Sequence, residues 1–413
     1  MKILYVCPFS HYSGHHPYAA ATEPKILSQA GADVTLVTFC GVTNNPKVDV
    51  PHHRVIPHDW APLQWLRKNV ILRWFIMLGE TIVTLCKAMR LYRKLEYDVM
   101  YVRDGEPFLF LPFILSALSR SYKWIISLTG ANLFAPKPSM FKFHENPFIY
   151  FYTSALRVVN GKMWRPLYRW CLERDGFVFT TQNEEARKSY SEHQNGIFNG
   201  KVVCIPLGTT NSNVSVSKST ARTRLRLPEN ALILLSFGAP HSGKDTKTVV
   251  KAMMSTPEIF TVYAGTQSFS LGSNPTRLTE LYGLESKTAI FDYYIPEEEK
   301  PPFFYAADAL ILSYTKAFKS TSSMLWEAAK YHLPVISSDA NLLGKMVEEY
   351  GLGLLFEAEN VDSLIDAIKR FEDLKPVDAK LMEAGRQRFI DDYSTKGWVE
   401  GILGTCKQLL EVK

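Results

Sequence analysis

Residues 309–339 constrain the fold more tightly than any other stretch. Ala309-Leu310-Ile311-Leu312 is a short unbroken apolar run, the composition of a strand buried on both faces. A turn of small hydroxyl residues, Ser320 to Ser323, follows it, and Met324, Leu325, Ala328 and Ala329 then recur at helical spacing on one face. Tyr331-His332-Leu333-Pro334 ends that helix, because the residue before a proline avoids the α region. Val335-Ile336-Ser337 begins a second strand. Two strands joined through a helix pair in parallel, and such units build sheets covered by helices. Unpaired N–H groups at the start of the helix favour an anion, so Ser322 and Ser323 are candidate ligand contacts there. Glu327 lies within the helix among apolar and small neighbours, either as a solvated carboxylate or as one directed into a cleft.

The same alternation recurs along the chain. Lys2-Ile3-Leu4-Tyr5-Val6 reads as a buried parallel strand, followed by a loop through Gly14, His15, His16 and Pro17, a helix over about 18–30, Gly31 and a strand over 33–38. Apolar runs at 97–102, 123–128, 176–181, 231–237 and 260–265 are further strands. The class is α/β with doubly wound parallel sheets, and ligands bind such sheets beyond the carboxyl ends of their strands. At 413 residues the chain exceeds one ordinary core and fits two domains of roughly 200 residues each. The polar stretch Asn211 to Thr220 marks a joint. The expected units are 1–210, 211–392 and a terminal helix over 393–413 that packs back on the first.

Composition narrows the class of function. A formal charge of +6 suits an anionic partner such as a nucleotide or an acidic membrane surface, or is a mild excess without functional meaning; no nucleic acid partner is expected. Six cysteines without a CxxC pair argue for a reducing compartment and against a disulfide framework or structural zinc; no metal is expected. Met1 to Cys7 reads as a strand stopped by Pro8 rather than a signal peptide. No apolar run reaches the roughly 18 residues of a membrane helix. A basic amphipathic stretch from Pro62 to Tyr97 is of the kind that lies on an anionic bilayer or, more commonly, of a helix packed on the sheet with a solvated edge. A cytoplasmic location follows, with peripheral contact at the inner face of the cytoplasmic membrane as its variant.

Several strand exits carry chemistry. After the strand at 231–237 comes Gly238-Ala239-Pro240-His241-Ser242-Gly243-Lys244, and then a helix start. Glycines, a lysine and a helix N-terminus form a pyrophosphate cradle, with Gly238 and Lys244 as donor contacts, although the segment is not a P-loop. Gly14 stands where backbone can approach a phosphate or sugar, and His15 and His16 are candidate ligands or incidental residues of a helix start. Arg103 ends its strand and either meets a phosphate or pairs with Asp104. Thr129 and Asn132 form the polar exit of the strand at 123–128.

Glu327-Ala328-Ala329, with Pro334-Val335 behind it, resembles the donor-binding signature of glycosyltransferase family 4, retaining enzymes of the GT-B fold with two Rossmann-like domains facing across a cleft. The likeness extends to the amino-terminal strand and loop, the Ile205-Pro206-Leu207-Gly208 exit and the Gly353-Leu354-Leu355 strand. It implies that Glu327 accepts from the ribose hydroxyls of a nucleotide sugar, that Lys244 neutralises its pyrophosphate, and that Ile295 offers backbone to the base. The family's arginine falls on His241, its first glutamate, eight positions before Glu327, on Lys319, and its histidine near the sugar on Thr129. Lys319 in place of a carboxylate would suit a donor sugar that carries its own. The resemblance implies a UDP- or GDP-linked donor, a sugar or lipid-linked sugar acceptor, and transfer in polysaccharide, glycolipid or cell-envelope glycan synthesis. The departures at 319 and 129 leave one alternative, a non-catalytic nucleotide-sugar-binding or scaffolding relative.

Overall fold

The structure is a computed structural model that describes residues 1–11, 16–42, 47–56, 70–103, 122–128, 176–184, 187–188, 200–240, 243–267, 274–318 and 321–411. The chain divides into two compact units, Met1–Leu207 with Lys396–Lys413, and Gly208–Thr395.

In the first unit seven strands run parallel: β1 (Lys2–Cys7), β2 (Asp33–Thr38), β3 (His52–Arg54), β4 (Val99–Val102), β5 (Trp124–Leu128), β6 (Phe177–Thr181) and β7 (Val202–Cys204). Their order is β3-β2-β1-β4-β5-β6-β7, so the winding reverses between β1 and β4. Side chains alternate across the sheet. Leu4, Val6, Met100 and Trp124 face helix α2 (Val70–Leu95), which contributes Leu85, Ala88 and Tyr92. Ile3, Tyr5, Tyr101 and Ile125 face the other way, toward Ala20 and Leu27 of α1 (His16–Gln29). Both faces are covered, which is why these strands are apolar throughout rather than alternating.

The second unit repeats the scheme with six parallel strands, β8 (Leu232–Phe237), β9 (Ile259–Ala264), β10 (Thr288–Phe291), β11 (Ala309–Leu312), β12 (Val335–Ser338) and β13 (Gly353–Phe356). They lie in the order β10-β9-β8-β11-β12-β13, and the reversal falls between β8 and β11. The helices are α3 (Lys218–Leu225), α4 (Thr246–Ser255), α5 (Pro275–Tyr282), α6 (Lys300–Ala306), α7 (Met324–Lys330), α8 (Asn341–Tyr350), α9 (Val361–Glu372) and α10 (Pro376–Asp392). Asp245 caps α4 by accepting from the Thr248 amide at 3.1 Å.

Among the described residues, the tightest of this unit's glycine contacts is in α10. At Gly385, in α10, an added Cβ would stand 1.7 Å from the Tyr350 carbonyl oxygen at the end of α8. Gly385→Ala is therefore expected to lower stability by about 1–3 kcal/mol, the usual range for overpacking. An unchanged denaturant midpoint would show that α10 re-seats at no cost.

The last helix, α11 (Thr395–Glu411), belongs with the first unit. Its Trp398, Ile402, Cys406 and Leu409 are buried in the same cluster as Ile3, Tyr5 and Tyr101. Among the described residues no helix is long and apolar enough to cross a membrane.

Candidate active site

The sheet reversal in the second unit brings the exits of β8 and β11 side by side, where doubly wound sheets bind their ligands. The β8 exit turns at Gly238, whose φ of +87° is a left-handed value that glycine adopts without strain. The exit of β9 closes against it: an added Cβ at Gly265 would meet the Gly238 backbone at 3.0 Å. The chain then returns through Gly243 and pairs with the β11 exit in a short antiparallel bridge between Lys244 and Tyr314. The Asp245 amide donates to the Ser313 carbonyl at 2.9 Å, the Thr315 amide to the Gly243 carbonyl at 2.9 Å, and the Ser313 hydroxyl to the Asp245 carbonyl at 3.0 Å.

This bridge aims Lys244 back along the sheet. Its ammonium donates to the Phe237 carbonyl at 2.7 Å and the Gly238 carbonyl at 3.0 Å, at the carboxyl end of the central strand. Loss of hydration pulls its pKa down to about 8. A cavity at this point is lined by Lys244, Ser236, Ser313, Tyr314 and Tyr263. The Tyr263 hydroxyl is buried without a hydrogen-bond partner among the described residues, and burial pushes its pKa well up.

Around the β11 exit, the Ser322 hydroxyl shares a 2.7 Å hydrogen bond with the Tyr314 hydroxyl, and the Tyr314 ring stacks on Phe318 at 4.1 Å. Ser322 is buried in that pairing, while Ser323 stands exposed just before α7. The Asn341 amide group donates to the Phe318 carbonyl at 2.7 Å, so the start of α8 is tied to the same loop. Ile295 is buried, 4% exposed, ahead of α6.

Glu327 occupies a more enclosed place than a carboxylate lining an open cleft. Its Oε1 lies 2.8 Å from the Lys300 ammonium, which also lies 2.5 Å from Glu297. Lys330 closes the network at 2.6 Å from Glu297. Both lysine pKa values are raised against the opposing burial, chiefly by the neighbouring carboxylates. Oε2 of Glu327 is shielded from solvent and has no hydrogen-bond partner among the described residues.

Arg103, read from sequence as a phosphate contact or a partner of Asp104, is 3% exposed and donates from Nε to Glu23 at 3.0 Å. Glu23 also accepts from the Tyr5 hydroxyl at 2.5 Å, so Arg103 is held by α1 and the β1 strand beside it. In the same unit a second pair comes together that sequence reasoning passed over: His11 Nε2 lies 3.2 Å from Glu80 Oε2, both side chains buried. Gly14, His15, Thr129, Asn132, His241 and Lys319 lie outside the described residues, as does the side chain of His16.

Residues 217–388 match the family of glycosyl transferases group 1. The match lies within the second unit. Lys244, Ser322 and Glu327 all fall within it. Over the whole chain the fold is shared with solved glycosyltransferase-type structures. The sucrose-phosphate synthase of Thermosynechococcus elongatus matches at TM-score 0.72 and 18% identity, with 100% of both chains covered. Anabaena HepE, solved in complex with UDP and glucose, matches at TM-score 0.68 and 14% identity, over 99% of this chain and 100% of that one. WaaG, a glycosyltransferase involved in lipopolysaccharide biosynthesis, matches at 0.64 and 12%, over 99% of each. These likenesses establish the two-sheet α/β architecture of GT-B proteins. No curated protein sequence matches the chain.

Within the matched residues, sequence reasoning placed Lys244 at the β8 exit and Glu327 in the helix after β11. It missed Lys300, Glu297 and Tyr314. Lys300 stands in the run Glu297-Glu298-Glu299-Lys300-Pro301-Pro302, which reads as a solvated turn; nothing local marks its contact with a residue 27 positions away.

Proposed function

We propose that the chain is a retaining, family 4-like glycosyltransferase of the hexosyl type. It moves a sugar from a UDP- or GDP-linked donor to a hydroxyl of a sugar or lipid-linked sugar acceptor, in polysaccharide, glycolipid or cell-envelope glycan synthesis. The carrying observation is the Lys244 ammonium, fixed at the carboxyl end of β8 inside the segment that matches group 1 glycosyl transferases. That is where a departing nucleoside diphosphate needs a positive charge. HepE bound to UDP and glucose, on the same fold, supports a nucleotide-sugar donor.

In this reading the bond from the anomeric carbon to the diphosphate oxygen breaks as the acceptor oxygen bonds to the same face of the sugar. The acceptor proton passes to the departing phosphate oxygen, so no side chain has to act as base. Lys244 meets the developing charge, with no metal ion called for, while Glu327 and the Ile295 backbone hold the ribose and base. The exposed Arg90, Arg93 and Lys94 of α2 suit the surface of an anionic membrane that presents a lipid-linked acceptor.

The test is release of free nucleotide from a panel of UDP- and GDP-sugars by the purified protein, with and without sugar and lipid-linked acceptors. Turnover that requires an acceptor and yields the donor's anomeric configuration supports the proposal. Nucleotide binding with no turnover on any pair would favour a non-catalytic relative, the reading that Lys319 in place of a glutamate keeps in view.

A pH dependence follows from Lys244. Its pKa of about 8 lies below the ordinary lysine value, and a bound diphosphate favours the charged form. Donor binding therefore takes up a proton above that pH, and affinity is expected to fall by up to about tenfold per pH unit as pH rises through 8. Lys244→Arg, charged throughout, should flatten the profile. Calorimetric affinities for UDP or GDP that do not change between pH 7 and 9.5 would place the ammonium away from the phosphates.

A further inference from the structure

The carboxylate assigned above to the donor ribose is itself held. Lys300 and Glu327 are 14% and 15% exposed, and the ion pair joins α6 to α7. Lys300 is the first residue of α6, the end at which a helix disfavours a cation, and it is followed by Pro301 and Pro302. Taking its charge out of water adds a desolvation cost. A lysine is thus kept where helix electrostatics and solvation both oppose it, and what it gains there is Glu327 and Glu297. The contact is also selective between the two oxygens. Lys300 takes Oε1 and leaves Oε2, which has no hydrogen-bond partner among the described residues. An unsatisfied, shielded carboxylate oxygen is costly until a donor reaches it. Five positions before Lys300 stands Ile295, the residue assigned to the base, so one short segment carries both the base contact and the cation that fixes the ribose carboxylate.

We propose that Lys300 is a positioning residue for nucleotide recognition: it anchors Glu327 through Oε1 so that Oε2 is presented to the ribose hydroxyls. The inference rests on the nucleotide-sugar reading above and adds to it the source of the protein's selectivity for a ribose.

Binding of UDP and GDP, and of their 2′-deoxy and 3′-deoxy forms, tests it by calorimetry on the full chain and its variants. The unaltered protein is expected to prefer the ribonucleotide by about tenfold or more, the scale of a hydrogen bond to a charged group. In Lys300→Met that preference should shrink to about twofold, with the loss falling on the ribonucleotide. In turnover assays the same variant should raise the donor KM with kcat little changed. Lys300→Arg should restore the preference. Lys330→Met removes a cation of the same network whose hydrogen bond is to Glu297 and not to Glu327, and it should keep the preference whatever it costs in stability. A merely structural Lys300 would weaken all the nucleotides equally and leave the ratio intact, which overturns the proposal. If Lys300→Met does not fold, Lys300→Gln carries the same comparison. An unaltered protein that binds nucleotides without preferring the ribose form would instead overturn the ribose assignment of Glu327 itself.

Discussion

Lys244→Ala is expected to lower kcat by about 10²–10³-fold, with a smaller change in donor KM. The charge that the lysine opposes is partial in the bound donor and grows as the bond to the diphosphate breaks. A cation fixed beforehand by two backbone carbonyls, at 2.7 and 3.0 Å, needs little rearrangement to meet it. The side chain is also half-buried, which strengthens its effect on a nearby anion. The check is steady-state kinetics on the donor and acceptor pair that the panel identifies. A rise in KM at constant kcat would mean that the lysine binds the ground state and the transition state alike.

Glu327→Ala is expected to weaken nucleotide binding by about 1.5–3 kcal/mol, because the ribose loses a charged acceptor. The structure adds a second loss. Lys300 keeps Glu297 but loses its other carboxylate, and stability should fall by about 1–3 kcal/mol as well. Chemical denaturation and calorimetry on one preparation separate the two effects. Glu327→Gln, which keeps the volume and one acceptor oxygen, should retain more of the stability than of the affinity. A folded Glu327→Ala protein with undiminished affinity for UDP and GDP would remove this carboxylate from the site.

The doubly wound architecture was legible because each buried strand announces itself locally. Leu232–Phe237 and Ala309–Leu312 are short apolar runs bounded by turn residues, and the order of strands and helices then leaves parallel pairing as the consistent arrangement. The place of Lys244 was legible for the same reason, being a matter of which residue follows which strand. What the residues accept and donate was not. The Nε of Arg103 pairs with Glu23, 80 positions away and brought close by the packing of α1 on the sheet, which no local pattern marks. Ser322 reads as an available hydroxyl in a small-residue turn, yet the Tyr314 side chain occupies it. Glu327 reads either as solvated or as directed into a cleft, and both readings leave out the Lys300 of the helix beside it. Apolar pattern is local information, whereas the choice of an ion-pair partner is settled by tertiary contacts.

The division of the chain into units has a consequence for the order in which they mature. Residues 208–395 form one continuous unit, so every strand of the second sheet can be in place before α11 has been synthesised. The first unit is discontinuous. Ile3, Tyr5 and Tyr101 are made early, but the Trp398 and Ile402 that bury with them arrive only after the whole second unit has emerged. During that interval the part of this face that α1 leaves bare is an apolar surface awaiting its cover, open to chaperones and to self-association. The half of the protein that begins first is thereby the half that finishes last.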